Sequence, residues 1–269
     1  MVSQESISNT TLEDHEQLLS DLFDSQAMLT IMDIGAWQCD SSLRYQYLFP
    51  RAVIYAFEPL PRNLDLANHY ISQFQPNAIH LFGLCLSDED GTAVFHVSNS
   101  LTDDEQFGLK SSSLFAPDLA QVINPQIGFE TKIVVATRRL DGFMKEHLVH
   151  EIDFIHMDVQ GAELKVLHGM GDRLKDLKCI WLEVERMPVY KGQALKKDVE
   201  KLLKVKGFVK VLDTVNDVSG DQFWINGKYE ELVARPTVSR ILFHNKWRLP
   251  LQELYYQCKS FVKKMIGRY

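Results

Sequence analysis

The chain has 269 residues, 45% hydrophobic and 24% charged, a globular composition and a length for one large α/β domain or two small ones that need no disulfide or metal to complete a core. Residues 234–269 carry eight Lys or Arg and a single acid, Glu253, a net of +7, so the formal total of −7 leaves −14 on residues 1–233. An acidic body argues against nucleic acid as partner, because neutralising phosphates needs a basic face.

No apolar run reaches the ~20 residues that cross a bilayer. The opening MVSQESISNTTLEDHEQ has neither the basic start nor the apolar core of a signal peptide. The cysteines, Cys39, Cys85, Cys179 and Cys258, form no CxxC pair and read as reduced thiols, two of them within apolar strand-like runs. A cytoplasmic protein is expected.

In chain order, TLEDHEQLLSDLF (11–23) places Leu12, Leu18, Leu19, Leu22 and Phe23 near helical spacing. MLTIMD (28–33) is a short apolar run ending at an acid, a form repeated by AVIYAFE (52–58), IHLFGLCLSD (79–88), IDFIHMD (152–158) and CIWLEVE (179–185). Runs apolar on both faces predict parallel strands covered by helices on both sides. Residues 63–74, 162–174 and 196–208 supply helical periodicity between them, the last ending at Gly207. The alternation predicts a Rossmann-like, doubly wound, mostly parallel sheet.

Two stretches break the rhythm. GTAVFHVS (91–98) and TKIVVATRRL (131–140) have no helix between them and predict an inserted β pair joined by a long polar loop, 99–130. Near the end, 210–216 and 221–226 predict an antiparallel hairpin linked through Ser219-Gly220.

In open α/β sheets ligands bind beyond the carboxyl ends of the strands, and acids and glycines gather at these predicted ends. Asp33-Ile34-Gly35-Ala36 follows the first strand, where glycine admits close backbone approach and the next helix start favours negative groups. The fingerprint G-x-G-x-x-G is absent, which disfavours a nicotinamide or flavin. Glu58 ends the second strand, 23 residues past Gly35, a spacing that suits one βαβ unit and a carboxylate holding ribose hydroxyls. Met157-Asp158-Val159-Gln160-Gly161-Ala162-Glu163 closes the strand 152–158.

Taken together, DIGA, AFEP, SSSL, IDFIHMDVQGAE and LEVE resemble the FkbM family of methyltransferases in content, order and spacing over roughly residues 28–226. The resemblance implies a class I methyltransferase fold, S-adenosylmethionine as cofactor, and O-methylation of a hydroxyl on a sugar, glycan or secondary metabolite. By position it implies that Asp33, Gly35 and Ala36 line the methionine side of the cofactor, that Glu58 holds the ribose, and that Ser87 and Asp88 lie near the adenine. Asp158 falls beside the transferring methyl. On the acceptor side it places Ser112 and Ser113 of the SSSL run, Tyr190 and Gly192; Glu183 and Glu185 are acids at an adjacent strand end. The implied organisation is a helical lead-in over 1–27, a cofactor-binding domain over 28–233 and a basic tail over 234–269.

Two positions depart from the family. Cys39 stands where a second glycine is usual, and His156 where a lysine is usual. His156 and Asp158, two apart on a strand, share a face, so the imidazole is a candidate to take the proton of an acceptor hydroxyl. The other reading is a strand histidine packed under a helix. Asp158, Glu183 and Glu185 have no spacing that demands a metal, and no metal ligand is assigned. The same two departures also fit an inactive S-adenosylmethionine-binding module that recruits a partner or membrane through its basic, aromatic tail; the tail also suits a helix lying on its own acidic body.

Overall fold

A computed structural model describes residues 11–74, 78–102 and 109–265. Parts of the predicted loop 99–130 and of the two termini lie outside the described residues. The sheet has seven strands: β1 (Thr30–Ile34), β2 (Val53–Phe57), β3 (Ile79–Phe82), β7 (Ile152–Met157), β8 (Leu177–Glu185), β9 (Phe208–Asp213) and β10 (Ser219–Asn226), in the order β3-β2-β1-β7-β8-β10-β9. The first five are parallel; β10 and β9 close the sheet antiparallel. The remaining three strands, β4 (Cys85–Leu86), β5 (Gly91–Ser100) and β6 (Ile127–Arg138), form a second small sheet in the order β4-β6-β5.

Helices cover both faces, as the unbroken apolar strands predict. On one side lie α1 (Asp14–Leu22), α2 (Asp40–Leu48) and α3 (Pro61–Phe74), whose Leu18, Leu19, Leu22, Leu43, Tyr45 and Ala67 share a core with Ile31, Ile54 and Phe154. A short α4 (Ala120–Ile123) precedes β6. On the other face lie α5 (Leu140–Glu146), α6 (Glu163–Gly169) and α7 (Lys196–Val205), packing Phe143, Val166 and Leu203 against Ile155 and Met157. Neighbours on β7 therefore point to opposite layers, and His156 takes the face of Phe154, toward α1 and α2.

Nine residues are too few for a stable isolated helix, so α1 depends on docking. Its three core leucines are fully buried, worth about 1.5–3 kcal/mol each. Glu16 adds a buried ion pair with Arg44 of α2, whose Nε donates to Oε1 at 2.5 Å.

Several boundaries differ from the sequence reading. The run 79–88 is two strands in two sheets, parted at Gly83-Leu84. Residues 162–174 make α6 and then a 3-10 turn (Gly171–Asp176), because Gly171 adopts φ 53. The hairpin turn precedes Ser219, so Ser219 and Gly220 lie within β10. α8 (Glu230–Val233) and α9 (Pro236–Met265) carry the tail. Val238 is buried, Asn245 Nδ2 donates to the Val211 carbonyl at 2.6 Å, and Arg186 lies over the Tyr256 ring. The described tail thus runs along its own β9 edge. No helix among the described residues is long and apolar enough to cross a membrane.

Candidate active site

Parallel pairing puts the ends of β1, β2 and β7 on one rim: Ile34 is opposite Phe57 on one side and Met157 on the other. The chain leaves β1 toward β2 and β3, then returns to β7 on the far side of β1, so this rim holds the topological switch point where such sheets bind ligands. A cleft opens there, lined by Asp33, Gly35, Ala36, Glu58, His156 and Asp158 together with Ser112 from the loop after β5.

Gly35 joins the two halves of the rim. It adopts φ 85, and a Cβ there would stand 1.9 Å from the carbonyl oxygen of Asp158. Only glycine meets both demands. Its N–H and that of Ala36 donate to the Phe57 carbonyl, while Asp158 N–H donates to the Ile34 carbonyl at 3.0 Å.

Glu58 is buried and accepts from two backbone N–H groups, Trp37 at Oε2 (3.0 Å) and Leu60 at Oε1 (2.8 Å). Burial outweighs these donors and pushes its pKa up to about 7. Asp33 accepts from Ser42 Oγ at 2.6 Å, and burial raises its pKa too.

His156 has Nδ1 at 2.9 Å from the Tyr45 hydroxyl and 3.9 Å from Asp33 Oδ1. Asp158 accepts from Gln160 Nε2 at 2.6 Å, and the same amide donates to Glu183 at 2.8 Å. Gln160 Oε1 in turn accepts from the Tyr190 hydroxyl at 2.8 Å, and its carbonyl accepts from Ser113 Oγ at 2.7 Å. Glu183 and Glu185 are pushed up in pKa by burial and by neighbouring carboxylates, Asp158 among them.

Some predicted site residues fall elsewhere. Ser87 and Asp88 do not line the cleft: α6 packs so tightly on them that a Cβ at Gly169 would meet the Ser87 carbonyl at 2.1 Å, and Asp88 pairs with Lys165 at 2.9 Å. Leu84, Cys85 and Leu86 line that side instead. Ser113, Glu183 and Tyr190 stand outside the cleft lining and bond to Gln160, which joins Asp158; Glu185 does not line the cleft either, and Gly192 is a turn glycine with open space around it. Cys39 faces the core, not the cleft, in a left-handed conformation (φ 65) that explains a family glycine. Trp37 and Lys110, which sequence reasoning missed, roof the cleft with the ammonium 4.0 Å from the ring centroid. Asn63 was also missed, although it sits five residues past Glu58 in a readable helix start. Among the described residues no three His, Cys, Asp or Glu side chains are arranged so that they could hold a metal ion.

The FkbM methyltransferase domain model matches residues 30–210. The 2-O-methyltransferase NoeI of Sinorhizobium fredii (strain NBRC 101917 / NGR234) is 31% identical over 219 residues, 81% of this chain and 87% of its own length. Methyltransferase sdnD of Sordaria araneosa is 24% identical over 76% of this chain and 80% of its own. A crystal structure of methyltransferase FkbM from Methylobacillus flagellatus KT superposes with TM-score 0.46 at 12% identity, over 74% of this chain and 43% of that one. The chain belongs to the FkbM family of methyltransferases.

Proposed function

We propose that this methyltransferase binds S-adenosylmethionine in the cleft at the β1, β2 and β7 ends and methylates a hydroxyl of a sugar, glycan or secondary metabolite. The observation that carries the reading is convergence: Gly35, Glu58, His156 and Asp158, far apart in sequence, line one cleft. The residues present fit the cofactor. Gly35 lets the turn after β1 pass against the Asp158 carbonyl and so holds the two sides of the cleft together, Glu58 offers a carboxylate to a diol, and Trp37 Nε1 is buried with no acceptor among the described residues.

When bound, S-adenosylmethionine supplies an electrophilic methyl carbon, so that forming the new O–C bond leaves the C–S electron pair on sulfur and only the hydroxyl proton must go. The chain then has two tasks. Asp158 and the roof of the cleft orient the acceptor, and orientation carries much of such a rate. His156 accepts the proton. O-methylation rests on this basic group in the cleft and on likeness to a 2-O-methyltransferase.

Calorimetry with S-adenosylmethionine, followed by transfer of a labelled methyl to a panel of free and lipid-linked sugars, tests the reading. Binding with label on a hydroxyl is expected. No binding at the cleft would remove it, and binding without transfer to any acceptor would favour a recruiting module.

A further inference from the structure

His156 does not act alone. Its Nδ1 meets the Tyr45 hydroxyl of α2 at 2.9 Å, and on the other side of that hydroxyl stands His15 Nε2 of α1, also at 2.9 Å. Tyr45 and His15 are buried, and the His15 ring stacks on Trp181 at 4.9 Å between centroids. α1 precedes the span matched by the family model, residues 30–210, so this contact comes from outside that span to the candidate base.

A tyrosine hydroxyl has one proton to give, so the line His15–Tyr45–His156 has two settings. In the first, His156 Nδ1–H donates to Tyr45 and Tyr45 donates to His15 Nε2, which leaves His15 protonated at Nδ1. In the second, every donation reverses and both Nδ1 atoms present lone pairs. The surroundings choose. Glu13 Oε2 lies 3.5 Å from His15 Nδ1, and Asp33 Oδ1 lies 3.9 Å from His156 Nδ1. Ser42 occupies the other oxygen of Asp33. Both carboxylates therefore face Nδ1 atoms, favouring protons there and opposing lone pairs. Burial also holds the His15 pKa down to about 3, so His15 is neutral and able to accept.

We infer that Tyr45 and His15 are positioning residues that lock His156 in the Nδ1–H tautomer and so turn the Nε2 lone pair to the cleft. This rests on the proposed role of His156. With Nδ1 committed to Tyr45, Nε2 is the nitrogen left for the cleft that His156 lines. There the acceptor O–H proton passes to Nε2, its bonding pair staying on oxygen as the nucleophile. The imidazolium keeps its Nδ1–H on Tyr45, with Asp33 of β1 beside it, Asp158 at the end of its own strand and Asp221 of β10 within electrostatic reach. The reverse tautomer would offer the cleft a donor and no base.

Long-range 1H–15N spectra of the cofactor-free protein, with His156→Gln to assign the ring, read the tautomer directly. His156 is expected as Nδ1–H in the wild type. His15→Phe keeps an aromatic ring on Trp181 but gives Tyr45 no acceptor, so Tyr45 turns to His156 and moves it toward Nε2–H. Tyr45→Phe leaves a mixture. In both variants turnover falls about tenfold or more, with KM for the cofactor changed less than twofold. A wild-type His156 in the Nε2–H form overturns the inference, as does a tautomer that His15→Phe leaves unmoved. If a variant does not fold, the wild-type spectrum decides. An Nδ1–H ring in a protein that transfers no methyl upholds the lock and sinks the base assignment.

Discussion

The two halves of the cleft rim surround their buried acids with different neighbours, hydrogen-bond donors in one and further carboxylates in the other. At the β1–β2 ends, Glu58 rests on two backbone N–H groups and Asp33 on a serine hydroxyl, each carboxylate held by donors. At the β7–β8–β10 ends, Glu183, Glu185 and Asp221 are raised by burial and by the neighbouring Asp158 carboxylate, with the Gln160 amide as the donor shared by Asp158 and Glu183. The first half is preorganised to accept hydrogen bonds from a ligand's hydroxyls. In the second, neighbouring carboxylates add to burial in raising Glu183, Glu185 and Asp221, which suits a place where hydroxyls must be oriented and a proton moved. The proposed function assigns binding to one half and chemistry to the other.

The strongest way to break that division is His156→Gln. Turnover should fall ~10²–10⁴-fold, the usual span for a lost general base, while calorimetric cofactor affinity stays within threefold. A comparable loss of affinity would show that the halves do not divide the work.

Gly35→Ala attacks the joint between them. Its Cβ cannot share space with the Asp158 carbonyl 1.9 Å away, so the β7 end must shift, and affinity and turnover should fall together by ~100-fold, on the order of 3 kcal/mol. A circular dichroism spectrum like the wild type's separates this from global unfolding.

Glu58→Ala should weaken S-adenosylmethionine by ~1–3 kcal/mol through lost hydrogen bonds to a charged acceptor. The same residue gives a pH signature. Its pKa is raised to about 7 in the free protein, and a ribose donates to the ionised form. Affinity is therefore full above about pH 7 and falls up to tenfold per unit below it. Equal affinity at pH 6 and 8 in the wild type would remove the ribose assignment.

Glu185→Gln has the smallest expected effect, and its sign is upward. The pKa of Glu185 in the folded chain is raised above its unfolded value by burial and by Glu163 and Asp158, so folding favours the protonated form. Stability from this group is greatest in acid and is lost as pH rises past the ordinary carboxylate range. A neutral side chain escapes that loss, and Tm at pH 8 should rise by a few degrees, on the order of 2–4 °C for each kcal/mol, with little change at pH 5.

Much of the fold was legible because apolar runs with acids at their ends encode parallel strands buried on both faces. The rim residues Asp33, Gly35, Glu58 and Asp158 were legible for the same reason: each closes or follows a strand whose direction the alternation fixes. What escaped depended on contacts that periodicity does not carry. Ser87 and Asp88 follow a strand that leaves the main sheet at Gly83-Leu84. Gln160 sits in plain sight in MDVQGAE, yet its role as the amide between Asp158 and Glu183 arises from a backbone at φ 52. His15 was visible only as a polar residue on an amphipathic helix; that it meets Tyr45 is decided by how α1 docks through Glu16 and Arg44.

A structure with S-adenosylhomocysteine bound tests the central claim most directly. The account places the ribose hydroxyls on the Glu58 carboxylate, the amino-acid end against the Asp33–Ala36 turn, and the sulfur facing His156 and Asp158 across space for an acceptor. A nucleoside bound away from Glu58, or a sulfur turned from β7 toward β3, would contradict it.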